Sequence, residues 1–187
     1  VLPITNKNVV QVGAALNKVI PSMVQREELF VTSKLWNNAH KPSEVEKQLD
    51  STLAQLGIAY LDLYLIHWPV AFVPGRGLSP TREDKPDQVE IDTETSVLDT
   101  WKAMLALRST GKVRAVGVSN FTVPMLEAII KATGERPAAN QIEAHPLLPQ
   151  DDLVEYCKKE GILLTAYSPL GNNREWQRYN TYQVTRC

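Results

Sequence analysis

Leu61-Asp62-Leu63-Tyr64-Leu65-Ile66-His67-Trp68-Pro69 is an apolar run, rich in branched and aromatic residues, that ends in a histidine and is closed by proline. Its composition and length predict a buried strand. Side chains alternate along a strand, so Leu61, Leu63, Leu65 and His67 share one face. That face is apolar until its last residue, an imidazole placed where solvent and ligand can reach it. A histidine in this position reads first as a structural residue, and the rest of the chain changes that reading.

Immediately before the run, Lys41-Pro42-Ser43-Glu44 opens a helix whose buried stripe is Val45, Leu49, Leu53 and Leu56, with Gly57 as its stop. Further back, Leu29 to Leu35 predicts a second strand, with Phe30, Thr32 and Lys34 on one face. A lysine thus closes this strand much as His67 closes the other. Val9 to Val19 has helical spacing, with Val9, Val12, Leu16 and Val19 apolar and Pro21-Ser22 as its end. Downstream, Pro69 to about Glu94 has no periodicity and is rich in proline, glycine and charge, which predicts a long functional or disordered loop. A helix over Ser96 to Ser109 follows, then a strand from Val113 to Asn120 and a helix from Thr122 to Ala132. A short strand from Ala138 to Glu143, a helix from Asp151 to Lys159 and a last strand from Ile162 to Ser168 complete the pattern.

Five near-continuous apolar strands separated by amphipathic helices predict a parallel sheet covered by helices, in α/β class. The candidates are a doubly wound open sheet and a (β/α) barrel. No G-x-G-x-x-G follows any strand, which argues against the dinucleotide-binding open sheet. Instead each strand ends on polar residues: Lys34, His67, Ser119 with Asn120, Gln141 with Glu143, and Tyr167 with Ser168. A barrel places its active site at that rim.

The 187 residues predict one domain with a substantial core. A net charge of −1 gives no electrostatic case for nucleic acid or an acidic membrane surface. No apolar stretch reaches the roughly 18 residues needed to span a bilayer. The N-terminal residues lack a signal-peptide layout. Cys157 and Cys187 have no metal-like spacing, no metal site is expected, and a reducing, cytoplasmic setting is the simplest expectation. Cys157 reads as a core residue, Trp36 and Trp101 as packing residues, His145 as a structural residue at a strand exit, and His40 as solvated.

The rim chemistry has several readings. Lys34 could form a Schiff base or shift a neighbour's pKa. His67 could act as acid, base or hydrogen-bond donor. Ser119, Asn120 and Gln141 suit recognition of an amide, and Tyr167 offers a flat surface for a planar ring. Together they suggest a site for a heteroaromatic carboxamide, which a nicotinamide would fit.

Thr32-Ser33-Lys34-Leu35-Trp36, the His67 run, Val116-Gly117-Val118-Ser119-Asn120-Phe121, Asn140-Gln141-Ile142-Glu143-Ala144-His145-Pro146 and Ala166-Tyr167-Ser168-Pro169-Leu170-Gly171 resemble, in that order, the aldo-keto reductase superfamily. The aldose/aldehyde reductase-like members are the nearest in pattern, and the resemblance covers roughly residues 8 to 171. It implies a TIM (β/α)8 barrel, an extended NADP(H), and reduction of small aldehydes or ketones to alcohols by hydride transfer. It implies that Lys34 and His67 are catalytic, that Ser119, Asn120 and Gln141 bind the carboxamide, and that Tyr167 stacks on the nicotinamide ring. Ser168 and Leu170 match the start of the pyrophosphate segment, Trp68 a substrate-pocket aromatic, and the 69–94 segment a variable substrate loop.

The sequence departs from the family at both ends. Read without gaps, the family's catalytic aspartate falls on Val1 and its tyrosine on Asn6. After Gly171, residues 172–187 form a divergent polar tail, and five strands are legible where the barrel has eight. The expectation is a member truncated at both ends, with a partial barrel over 1–171 and activity compromised by the missing aspartate and tyrosine. The alternative is a non-catalytic barrel fragment that binds partners or its own copies through open sheet edges.

Overall fold

Proline and glycine punctuate the chain and set where its helices begin and end. Pro42 and Pro124 lie in the first turns of two helices, where a missing amide hydrogen costs nothing. Gly57, Gly134 and Gly161 close three helices in the left-handed conformation at φ 67°, 72° and 71°. The computed structural model describes residues 6–171. Within them, α1 (Asn6–Val19), β1 (Thr32–Leu35), α2 (Pro42–Leu56), β2 (Leu61–Ile66), α3 (Val97–Ala106), β3 (Val113–Ser119), α4 (Val123–Thr133), β4 (Ala139–Glu143), α5 (Asp151–Glu160) and β5 (Leu163–Tyr167) alternate along the chain. The 172–187 tail and Val1 lie outside the described residues.

The strands form one sheet in the order β1-β2-β3-β4-β5, and every neighbouring pair is parallel. A doubly wound sheet reverses its strand order at a switch point. Here the order never reverses among the described residues, and this settles the two candidates in favour of a run of barrel strands. The packing agrees. The main core joins Leu35, Tyr64, Ile66, Val116, Val118 and Ile142 of the sheet to Leu49, Trp101, Met104, Leu126 and Cys157 of the helices. A second, smaller cluster contains Leu63, Leu65 and Ala139 with Ala115 and Ala138, and no helix residue takes part in it. Helices therefore cover one face of the sheet, and the other face is the inside of the barrel wall.

The inner face narrows at Gly117. A Cβ there would lie 2.6 Å from the Ala139 carbonyl oxygen and 2.8 Å from Leu65 Cδ2. Only glycine lets β3 pass between its neighbours at this layer.

At the opposite ends of the strands, a buried carboxylate ties three of them together. Asp62, 3% exposed, accepts hydrogen bonds from the Val31 amide at 2.9 Å, Arg26 Nη2 at 2.8 Å and Arg114 Nη1 at 3.0 Å. Both guanidinium groups also lie over the Tyr60 ring, at 3.9 Å and 4.3 Å from its centroid. Burial alone would raise the Asp62 carboxyl, but the Val31 amide and the two arginines outweigh it and hold it below the usual carboxylate range.

Three expectations are corrected, and the reading of the 69–94 loop is made specific. β1 begins at Thr32 rather than Leu29, because Leu29 and the Tyr60 and Asp62 oxygens are held by Arg26 from a 3-10 turn at Arg26–Glu28, and Phe30 is left 73% exposed. The packed stripe of α1 runs through Val9, Gly13 and Leu16, not Val12, which is exposed. A Cβ on Gly13 would lie 2.2 Å from the Gln55 carbonyl oxygen, so the two helices meet backbone to backbone and the contact face turns by one residue. The 69–94 segment is a folded excursion carrying antiparallel bridges Phe72–Ile91 and Thr81–Val89, with an Arg76–Glu90 ion pair between its arms. His40 is buried, not solvated: it is 1% exposed, and neither ring nitrogen has a hydrogen-bond partner among the described residues.

Two stability measurements test this packing. Gly117→Ala will destabilise the fold by about 1–3 kcal/mol in urea unfolding, the usual range for overpacking, because the nearest obstruction is backbone. Burial lowers the His40 imidazole to about 4, against a smaller upward pull from Asp92. The unfolded chain therefore binds the extra proton first as pH falls from about 6.5. The stability held by neutral His40 is complete above that pH and is lost progressively down to about pH 4, by about 3 kcal/mol in total. His40→Phe will flatten this part of the acid limb in a pH series of unfolding curves.

Candidate active site

The register of the strands decides which residues reach the rim together. Lys34 pairs with Leu65 and Leu65 with Gly117, so Lys34 belongs to the layer at which the inner face is most crowded. One layer on, Ser119 pairs with Gln141, and Tyr167 follows at the end of β5 opposite Glu143. His67 directly follows β2, and its amide donates to the Leu35 carbonyl at 3.1 Å. Lys34 starts lower than the others, and its length carries the amine up to them. The result is a cleft of about 330 Å³ lined by Lys34, Trp36, His67, Trp68, Ser119, Asn120, Gln141, Tyr167 and Ser168.

Hydrogen bonds fix the floor of this cleft. The Ser119 hydroxyl and the Asn120 amide both donate to the Gln141 carbonyl, at 2.7 Å and 2.9 Å. Asn120 adopts φ 63°, a left-handed conformation that asparagine tolerates better than most residues. That turn aims its side chain back across the site. Its Nδ2 donates to the His67 carbonyl at 2.9 Å, and its Oδ1 accepts from the Tyr167 hydroxyl at 2.8 Å. One asparagine therefore joins the ends of β2, β3 and β5. Asn140 supports the same turn from below, donating to the Phe121 carbonyl at 2.9 Å. By contrast, the Gln141 side chain lines the cleft and makes no hydrogen bond among the described residues.

The ionisable groups are shifted by their surroundings. Burial lowers the Lys34 amine below its usual value, and no carboxylate pairs with it among the described residues. Burial, with the Lys34 charge adding to it, lowers the His67 imidazole to about 4, so His67 is neutral at ordinary pH. Burial and the Glu143 carboxylate raise the Tyr167 phenol. The site thus presents one cationic amine, a neutral imidazole able to donate from one nitrogen and accept at the other, a free amide, and aromatic walls.

Of the residues singled out from the sequence, Lys34, His67, Trp68, Ser119, Asn120, Gln141, Tyr167 and Ser168 converge on this cleft. Leu170 does not line it and is 82% exposed. Trp36, read as a packing residue, is a wall of the cleft, with its ring edge-on to His67 at 5.0 Å between centroids. Its indole donates to the Leu78 carbonyl at 2.6 Å, and Asn38 Nδ2 donates to the Gly77 carbonyl at 2.8 Å, so the 69–94 excursion is tied to the cleft wall. The signal for Trp36 was present: it lies two residues after Lys34 and shares its strand face. Trp101 packs in the core, fully buried, and His145 lies beside Glu143 at 3.4 Å at the exit of β4.

No group of three or more histidine, cysteine, aspartate or glutamate side chains that could hold a metal occurs among the described residues, and no helix among them is long and apolar enough to cross a membrane. Residues 5–181 match the profile of the aldo/keto reductase family. A D/L-glyceraldehyde reductase from Hypocrea jecorina is 55% identical over 165 residues, which are 87% of this chain and 49% of that protein. The aldose reductase structure from Giardia lamblia superposes with a TM-score of 0.83 at 39% identity, over 89% of this chain and 55% of that one. A Bombyx mori aldo-keto reductase in complex with NADP superposes with a TM-score of 0.74 at 39% identity, over 87% of this chain and 48% of that one. The chain spans about half the length of these proteins. A sheet of consecutive parallel strands, a lysine–histidine rim and a family match across most of its length converge on one assignment: the chain belongs to the aldo/keto reductase family.

Proposed function

We propose that this chain carries the nicotinamide-facing part of an NADP(H)-dependent reductase of small aldehydes and ketones, working in a reducing setting such as the cytoplasm. The observation that carries the reading is the Gln141 amide, without a hydrogen bond among the described residues, at a cleft walled by Tyr167. An amide that faces a cleft without a protein partner keeps its donor and acceptor available to a ligand. A carboxamide has the matching donor and acceptor. Ser119 and Asn120 shape the same floor, and the Tyr167 ring supplies a stacking surface. Ser168 and Leu170 would lead toward the pyrophosphate. The chemistry NADP(H) supplies when bound is a hydride for the carbonyl carbon.

The chain's own residues would prepare the carbonyl. Neutral His67 donates its N–H to the carbonyl oxygen and orients it. The Lys34 charge stabilises the negative charge that develops there. Trp36 and Trp68 exclude water on the open side. The position matching the family's proton-donating tyrosine carries Asn6, whose amide is no general acid, so turnover by this chain is expected to be lower by about 10²–10⁴. The second reading, a binding or self-associating module, draws on the outer strands β1 and β5, which pair on one side only among the described residues, and on Leu163, 72% exposed. Light scattering across a concentration series separates it: a rising mass supports that reading, a constant monomer mass counts against it.

Titration with NADPH, followed by tryptophan quenching, tests the main reading. Saturable binding is expected in the wild type and in Lys34→Met, and about tenfold or weaker binding in Tyr167→Ala, the range of one lost stacking contact. A wild type that never saturates overturns it. His67 provides a second check by NMR. Its imidazole should titrate near 4, and Lys34→Met should move that value upward, since a neighbouring positive charge is removed. An unperturbed wild-type histidine would contradict the electrostatics on which carbonyl orientation rests.

A further inference from the structure

His67 is fixed at its backbone from two sides. Its amide donates to the Leu35 carbonyl at 3.1 Å, and its carbonyl accepts from Asn120 Nδ2 at 2.9 Å. These bonds place the residue but leave rotation about its side-chain torsions open. The contact that bears on the ring is Trp36. The two rings stand 5.0 Å apart between centroids, with their planes at 76°, a T-shaped arrangement in the range where aromatic pairs attract. The indole is itself held. Its Nε1 donates to the Leu78 carbonyl at 2.6 Å, and its ring meets Phe72 at 6.4 Å and 85°. Leu78 and Phe72 both belong to the 69–94 excursion, so the excursion grips the ring that touches the imidazole.

We propose that Trp36 is a positioning residue: tethered by the Leu78 carbonyl, it holds the His67 imidazole in the orientation that meets an incoming carbonyl. The inference rests on the reading of His67 as the group that orients the carbonyl. A donor helps only where its N–H points at the oxygen, so a ring whose rotation is already restricted loses less freedom when the carbonyl arrives. Trp36 has a second effect, because a ring laid against the imidazole keeps water from it. Burial is the main cause of the low His67 value of about 4. Among the described residues, the one charged group that adds to it is Lys34 of β1. Asn120 and Trp68, which line the same cleft, and Phe72 beyond the indole carry no charge. The tether ends on a main-chain oxygen, so it does not depend on the side chain at position 78.

The test follows the His67 ring by NMR in the full chain without nucleotide, with the backbone amide spectrum as the check on folding. In the wild type the Trp36 indole proton is expected to exchange about tenfold more slowly than that of exposed Trp68. Cross-peaks between the Trp36 and His67 rings are expected as well. Trp36→Ala should raise the His67 midpoint by about one unit, a tenfold gain in proton affinity. Trp36→Phe, which keeps a ring and loses the tether, should give a smaller rise and weaker cross-peaks. Leu78→Ala should leave the midpoint at its wild-type value. A midpoint unmoved in both Trp36 variants overturns the proposal. So does a rise in Leu78→Ala equal to that in Trp36→Phe, since loosening of the excursion would then be the cause. If Trp36→Ala does not fold, Trp36→Phe decides alone. NADPH binding with an unmoved midpoint sinks this inference and spares the proposed function; the expected shifts without NADPH binding do the reverse.

Discussion

The Asp62 carboxylate is the contact on which the geometry of the sheet depends. It receives the Val31 amide at the entry to β1, sits in β2, and pairs with Arg114 in β3. A charge 3% exposed is tolerable only with its partners in place, because an isolated buried ion is costly. The carboxylate therefore fixes where three strands start relative to one another. Strand side chains repeat every two residues, so a slip of one would turn Lys34, His67 and Ser119 away from the inner face. The site at one end of the sheet is set by an ion cluster at the other. Tyr60, with both guanidinium groups over its ring, adds apolar cover to the cluster.

Between those two ends, crowding decides which residue types are possible. The inner layer built by Leu63, Leu65 and Ala139 closes down at Gly117, where backbone from β4 occupies the place of a Cβ. Small residues below and polar residues above follow from this taper. A long side chain such as Lys34 is the one kind that can be rooted in the crowded layer and act in the wider one. Asn120, in its left-handed turn, then converts three separate strand ends into one wall by bonding to the His67 carbonyl and the Tyr167 hydroxyl.

Much of this was legible in the sequence, and the reasons for the rest are physical. Strand identity showed most clearly in β2 and β3, where apolar runs end abruptly on polar residues; seven of the nine cleft-lining residues could be named from the ends of the five strands, and Trp68 from the family resemblance. Trp36 escaped because a tryptophan after an apolar strand is usually core; only the Leu78 contact, forty-two residues away, reveals that it is a wall. His40 escaped because a histidine in the stretch Asn37-Asn38-Ala39-His40-Lys41 reads as solvated, and its burial comes from packing by distant segments, including Thr100, whose hydroxyl donates to the His40 carbonyl. The stripe of α1 was read as running through Val12 because a glycine carries no hydrophobic signal, although Gly13 is where the helix touches its neighbour. Local pattern sees propensity and period. It does not see which long-range contact will claim a residue.

The fastening of the 69–94 excursion has a consequence for how this cleft can diversify. Trp36 and Asn38 hold it through the main-chain oxygens of Leu78 and Gly77, and Phe72 is held through its amide by the Asn37 carbonyl. None of these bonds depends on what side chain the excursion carries at the point of attachment. Apart from Gly75 and Gly77, whose φ of 79° and 86° disfavours other residues, the segment can exchange side chains while its path stays anchored to the cleft wall. Mutation in the excursion can therefore change the surface offered to an incoming molecule without moving the amine or the imidazole beneath it. Specificity and reactivity are separable in this chain because one is written in side chains and the other is fastened by backbone.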